Sequence, residues 1–395
     1  MAPNDLNRYS ARLPWSTPQN SYSLLLQRIR RAGSELLDLT VANPTHALAD
    51  YPHAEIARAL GAIRDFRYEP DPLGSSGARH AIATWYEAQG IQVAENRIAL
   101  TASTSEAYAM LFKLLCDPRD EVLVPNPSYP LFEYLARAEG VMTSPYRLGY
   151  DGGWYLDIDS VRQALSTRSK AIVVVNPNNP TGSYLKDREV AQLTALAAEH
   201  RCALVSDEVF MTYPAASTSA QTSSLIGNEG ALCFSLNGLS KAAGMPQMKL
   251  GWIVASGPAD EADAAIGRLE LLLDNYLSVG TPVQKALPEL LRIGSGVHAK
   301  INARLRRNTA ELNMLRNSAV HVLASEGGWS AILQVPSVLS EEVWIGRLLM
   351  EHGVIVQPGY FYDMAQEAYL VVSLLADPAD FAPGIDRVRL VADSL

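Results

Sequence analysis

The stretch AIVVVNPNNPTG, residues 171–182, decides the architecture. Ala171 to Val175 is a short, continuously apolar, β-branched run, which suits a buried strand. It stops abruptly at Asn176-Pro177-Asn178-Asn179-Pro180-Thr181-Gly182, more turn-forming residues than are needed to leave a strand. Working outward, comparable runs recur: RIAL at 97–100, EVLVP at 121–125, CALVS at 202–206, ALCFSL at 231–236 and GWIVA at 251–255. Amphipathic stretches lie between several of them. In SEAYAMLFKLL, Ala107, Met110, Leu111 and Leu114 recur at the i, i+3, i+4, i+7 spacing of one helix face. This alternation predicts an α/β fold, a mostly parallel central sheet flanked by helices. Ligands of such sheets gather beyond the carboxyl ends of the strands, so the loops after the six runs are where chemistry is expected.

The remainder reads as a smaller α+β domain. Residues 258–292 and 296–317 are expected to be long helices, the second bearing Arg304, Arg306, Arg307 and Arg316 as a solvated basic face. After residue 320 short strand-like runs mix with a helix near 340–352, and the first 45 residues are too few for a domain of their own. The expected division is a large domain over 46–285 and a small domain formed by 1–45 with 286–395. For 395 residues, two domains are what a prior of about 150 residues each suggests.

Composition narrows the function classes. Hydrophobic residues make up 48% and charged residues 19%, which suits a compact globular chain. The net charge of −9 argues against nucleic-acid binding, which rests on neutralising phosphates, but permits a local pocket for a small anion. The three cysteines, Cys116, Cys202 and Cys233, are scattered and odd in number, so a cytoplasmic location is expected rather than a disulfide framework. The first residues, MAPNDLNRYSARLPW, lack the apolar segment of a signal peptide, and the five residues 171–175 are far too few to span a bilayer. GLSKA at 238–242 lacks the second glycine of a nucleophile elbow, no phosphate loop is present, and GSGVHA at 294–299 lacks the third glycine of a dinucleotide fingerprint. With no H-x-x-x-H pair among the seven histidines, no metal is expected.

The strand-end loops carry the positive signals. Thr101-Ala102-Ser103-Thr104-Ser105 leads straight into a helix and offers hydroxyls and unpaired N–H groups to an anion, or a plain N-cap. Asn126-Pro127-Ser128-Tyr129-Pro130 sets an aromatic at the mouth of the sheet. Asp207-Glu208-Val209-Phe210 sets a carboxylate at one strand end, and Asn237-Gly238-Leu239-Ser240-Lys241 a lysine at another. A lysine for a Schiff base, a carboxylate to keep a ring nitrogen protonated, an aromatic to stack and an anion cradle are the needs of pyridoxal 5'-phosphate.

With NPNNPTG, the DEVF segment, NGLSK followed eight positions later by a basic residue, and PGY at 358–360, nearly the whole chain resembles the class I/II aminotransferases of fold type I. The NGLSK form is similar to the alanine-aminotransferase-like branch. The resemblance implies that the large domain binds pyridoxal 5'-phosphate and that Lys241 is the Schiff-base lysine and proton shuttle. Asp207 would pair with the ring nitrogen, Tyr129 would stack on the ring and Asn179 would bond its 3-oxygen. Ser103, Thr104, Ser105, Ser240 and Lys249 would hold the phosphate. Tyr68, in RYEPDPLG, would reach the phosphate site of a partner subunit, which implies a homodimer. The implied reactants are a small amino donor and an α-keto acid acceptor, with no nucleic acid and no membrane.

Three positions depart from the family pattern. Lys249 stands where an arginine usually grips the phosphate, keeping the charge but losing the bidentate fork. Phe210 replaces the tyrosine that donates to the 3-oxygen, and Tyr213 lies nearby in sequence. In AYLVVSLLA, Val371 falls where the family places the arginine that binds the substrate α-carboxylate. Arg8 or Arg12 of the N-terminal arm could supply that charge instead. The expected activity is therefore that of an aminotransferase acting on an amino acid or amine. The missing arginine keeps open a pyridoxal-phosphate lyase, decarboxylase or oxidase. A non-catalytic cofactor-binding protein is disfavoured by the intact Lys241–Asp207 pair.

Overall fold

The computed structural model describes residues 9–13, 21–31, 33, 35–215, 224–366 and 368–395. All six apolar runs become strands of one eight-stranded sheet: β2 (Ile98–Thr101), β3 (Glu121–Asn126), β6 (Ser169–Val175), β7 (Ala203–Asp207), β8 (Cys233–Gly238) and β9 (Gly251–Ser256). The sheet also contains β4 (Met142–Tyr150) and β5 (Trp154–Leu156), and its order is β2-β9-β8-β7-β6-β3-β4-β5. Neither added strand shows a continuous apolar run. Both lie toward one edge, where Pro145 and Arg147 are tolerated and burial is partial.

The middles of the central strands are mostly apolar on both faces because helices cover both. Val173, Val205, Phe234 and Ile253 pack with the helix Thr104–Leu115 and the helix Ala259–Asp274, while Ile172, Val174 and Leu204 pack with the helix Asp187–His200. That is the two-residue alternation of a strand. β3, β4, β6, β7 and β8 are parallel, whereas β9 runs antiparallel to both β8 and β2. The expectation that all six following loops share one end is corrected here: the loop after β9 leaves at the opposite end, and the residues before β9 join the site.

The chain beyond 320 forms a four-stranded antiparallel sheet in the order β10 (His321–Val322), β11 (Ser330–Gln334), β14 (Tyr369–Ser373) and β13 (Gln357–Pro358). From the N-terminal part, β1 (Leu37–Asp38) pairs in parallel with β12 (Val354–Ile355), and Ser373 N donates to the carbonyl of Leu39. The long helices end differently from expectation. They are Ala259–Asp274 and Thr281–Glu311, because Leu277 turns the chain at φ 44° and Pro282 opens a new first turn. Gly294 and Gly296 do not interrupt the second helix. A Cβ on Gly294 would lie 2.4 Å from Cβ of Ala243, so the glycine lets this helix approach the segment that carries Lys241. Arg306, Arg307 and Arg316 are solvated as expected, but Arg304 donates to the carbonyls of Leu375 and Ala376. No described helix is long and apolar enough to cross a membrane. Among the described residues no cluster of His, Cys, Asp and Glu could hold a metal.

Candidate active site

The hydroxyl-rich turn expected to hold an anion lies where β2 runs into the helix Thr104–Leu115. Ser103 is the N-cap, its Oγ accepting from Glu106 N at 3.1 Å, and Glu106 Oε2 in return accepts from Ala102 N at 2.5 Å. The Thr104 and Ser105 hydroxyls have no hydrogen-bond partner among the described residues. First-turn N–H groups also lack partners within a helix. The N-cap reading holds for Ser103, and Thr104 and Ser105 beside it are half-buried. Gly251, at the start of β9, lies flat against this turn. A Cβ there would sit 3.0 Å from Ser103 C and 3.1 Å from Thr104 N. Gly251 pairs with Thr101 on one side and Gly238 on the other. This register sets the Ser103–Ser105 turn, the end of β8 that leads to Ser240 and the start of β9 that follows Lys249 side by side. Lys249 adopts a left-handed conformation at φ 49° and is exposed.

Asp207 ends β7 beside β8, whose continuation is the four-residue helix Leu239–Ala242 carrying Lys241. Its carboxylate accepts from Val209 N at 3.2 Å and from the Tyr108 hydroxyl at 3.1 Å. Burial pushes Asp207 up to about 6, and these two donors and the Lys241 charge only partly oppose it. Burial also brings the Lys241 amine down to about 8, with Asp207 opposing. The pair thus holds a lysine that releases its proton near neutral pH and a carboxylate short of a cationic partner. Glu208 faces the other way, where Ser224 Oγ, Ser235 Oγ and Leu225 N donate to it.

The loop after β6 cages itself. Asn176 Oδ1 accepts from Leu185 N, and Asn178 Oδ1 accepts from the Thr181 hydroxyl while its Nδ2 donates to Ser128 Oγ. That last bond ties the loop to the turn bearing Tyr129, whose ring is 47% exposed. Asn179 accepts from Ser330 Oγ at 3.3 Å, and its Nδ2 has no partner among the described residues. Gly182, at φ 70°, has no room for a Cβ against Ser325 and Gly327. Gly328 N donates to Tyr213 O and Ala215 N to Glu326 O, docking the 325–329 segment over the lysine.

That docking delivers a residue the motifs did not reveal. The Trp329 ring lies 4.4 Å from Lys241 Nζ and the Phe210 ring 5.3 Å from it, and the two rings meet edge to face. The indole Nε1 of Trp329 is buried without a hydrogen-bond partner among the described residues. Its only trace in the sequence is an aromatic directly after Gly327-Gly328. Tyr108 was also missed: it was one more aromatic in an amphipathic helix. Tyr213 does not stand in for the tyrosine absent at Phe210, because its hydroxyl donates to the Lys241 carbonyl at 2.6 Å.

Val371 is 1% exposed and packs with Trp154, Leu323, Ile332 and Tyr362. It pairs with Ile332, which shares a strand face with Ser330, the partner of Asn179. Its neighbours Leu370 and Val372 are apolar too, so either register leaves this strand without an arginine. Arg12 is exposed and donates to the Ala138 carbonyl at 3.0 Å, while Arg8 lies outside the described residues. Tyr68 is not brought to Lys241. It is 73% exposed in a shallow depression with Leu277, Ser278 and Lys285.

The residues suit pyridoxal phosphate. A protonated ring nitrogen would add to the only partial compensation of Asp207 by Lys241, the Thr104 turn offers donors to a phosphate, and Lys241, within Coulombic reach of Asp207, is the amine. A profile described as Aminotransferase class I and II matches residues 34–380. Glutamate-pyruvate aminotransferase AlaA of Haemophilus influenzae is 29% identical over 267 residues, 67% of this chain and 65% of that protein, so the match spans less than two thirds of that relative. Alanine aminotransferase of Mycobacterium tuberculosis is 27% identical over 377 residues, covering 91% of this chain and 86% of that one. Among solved structures, an alanine aminotransferase from Pyrococcus furiosus superposes with a TM-score of 0.85 at 22% identity, covering 98% and 100% of the two chains, and shares the fold.

Proposed function

The chain belongs to the class I and II aminotransferases, a pyridoxal-5'-phosphate-dependent family, and from that premise we propose that it transfers amino groups from a small donor to a carbonyl acceptor. The observation that carries this reading is the Asp207–Lys241 pair, each displaced by burial toward the other's range. When bound, the cofactor supplies an aldehyde to capture the amine and a protonated ring to take up electrons from the substrate α-carbon. Lys241 would hold the cofactor through its amine and would carry the proton at the substrate α-carbon; an amine titrating near 8 suits both duties. Asp207 keeps the ring nitrogen protonated, with Tyr108 orienting its carboxylate. Thr104, Ser105 and Ser240, with the Ser103 turn and Lys249, hold the phosphate. Tyr129 would stack on the ring, and Asn179 would offer its Nδ2 to the 3-oxygen. The enzyme works as a cytoplasmic homodimer, Tyr68 completing the partner's phosphate site. The matching relatives are named aminotransferases, which does not favour a lyase, decarboxylase or oxidase.

The test is borohydride reduction of the yellow holoprotein followed by peptide mass spectrometry. The reduced cofactor is expected on Lys241, and Lys241→Ala is expected to abolish turnover while retaining some cofactor through the phosphate. A label on any other lysine overturns the assignment.

A further inference from the structure

We propose that the protein carries a second ligand site, apart from Lys241, for an amphipathic anion: a small molecule with an apolar body and one negatively charged head. A cavity of about 710 Å³ opens between the last turns of the helix Thr281–Glu311, the strand pair β10 and β11, and the segment Tyr213 to Ala215. That volume falls within the span of about 300–1,000 Å³ usual for small-molecule sites. Among the described residues its lining includes neither Lys241, Asp207, Asn179 nor the Ser103–Ser105 turn.

The lining dictates the ligand. Leu305, Leu312, Leu315, Val320, Leu323 and Leu374 make its apolar wall, each nine-tenths or more buried. An alkyl or aryl body gains by leaving water for such a surface. Two cations, Arg306 and Arg316, also line the cavity, and both are exposed. Neither makes an ion pair or a hydrogen bond with a described residue, whereas Arg304 on the same helix is engaged by the carbonyls of Leu375 and Ala376. No Asp or Glu lines the cavity among the described residues, although these types outnumber Lys and Arg by 42 to 33 in the chain. A positive patch in an acidic protein selects an anionic head, and guanidinium groups bond carboxylate oxygens in pairs.

The cavity also touches the joint between the two sheets. Pro214 and Gly327 form a bridge across that joint, and both line the cavity. Tyr213, another part of the wall, accepts from Gly328 N through its carbonyl and donates its hydroxyl to the Lys241 carbonyl at 2.6 Å. A ligand seated here bears on the backbone bonds that dock Trp329 over Lys241, and it steadies that docking without entering the catalytic site.

The experiment titrates the holoprotein calorimetrically with octanoate and with octanamide, its uncharged match. One octanoate per chain is expected to bind saturably, about 10-fold tighter than octanamide, the scale of two exposed ion pairs. The double variant Arg306→Ala, Arg316→Ala is expected to lose that preference while borohydride still labels Lys241. Amide hydrogen exchange gives a readout that needs no variant: octanoate is expected to slow exchange at Ala215 and Gly328 and across residues 305–316. No saturable binding, equal affinity for the two probes, an unchanged preference in the double variant, or protection confined to residues 101–105 and 237–241 overturns the site.

Discussion

At the scale of single residues, the site is governed by burial acting on a few polar groups. Asp207 titrates near 6 in the folded chain against an ordinary 3.8, so the folded state binds the extra proton between these values. Its contribution to stability is greatest below the unfolded value and is lost as pH rises through about 6, on the order of 3 kcal/mol. A protonated ring nitrogen beside the carboxylate removes the cause. Urea unfolding from about pH 4 to 7 is therefore expected to show this loss in cofactor-free protein and not in loaded protein, since only the latter offers a counter-charge. Equal slopes in both forms would contradict the pairing. Tyr108→Phe deletes a buried donor to the same carboxylate. A bond to a charged group is worth about 1.5–3 kcal/mol, so kcat is expected to drop by about 10-fold or more and the Asp207-dependent pH slope to steepen. An unchanged kcat and pH profile would assign Tyr108 to packing alone.

At the scale of elements, two close approaches set the site. Gly251 lets β9 lie flat on the turn that starts the helix Thr104–Leu115. Gly251→Ala must push that turn away, and overpacking of this kind costs about 1–3 kcal/mol. Equilibrium dialysis is expected to show cofactor affinity falling by more than the loss in apoprotein stability explains, because the displaced N–H groups are the proposed phosphate donors. Gly294 performs the corresponding service for the Lys241 segment, where a Cβ would meet Ala243 Cα at 2.8 Å. Gly294→Ala gains about 1 kcal/mol of helix propensity and is nonetheless expected to lower Tm, since backbone must move to admit the methyl.

At the scale of the whole molecule, the site draws on segments from both sheets, and the reading of Tyr68 extends it to a second subunit. The exposed ring has no polar partner among the described residues of its own chain. Sedimentation is expected to show a stable dimer. Tyr68→Phe is expected to weaken cofactor retention about 10-fold, the scale of one phosphate hydrogen bond, without moving the melting temperature of the apoprotein. A fully active monomer would exclude the shared site.

Much of this protein was legible along the chain. The six core strands announce themselves because a strand covered on both faces reads as a nearly continuous apolar run. Lys241, Asp207 and the NPNNPTG loop are visible because polar residues at the ends of such strands have few structural reasons to be there. Edge strands β4 and β5, with one side toward solvent, carry no such constraint and left no comparable mark. Tertiary structure alone decided the rest. Trp329 meets Lys241 only because backbone hydrogen bonds from 326 and 328 dock one sheet's entry onto the other's loops. Val371 was readable as a missing charge. That the space around it is closed by Ile332, Tyr362, Leu323 and Trp154 depends on residues more than two hundred positions apart, and proximity of that kind is a property of packing and not of order along the chain.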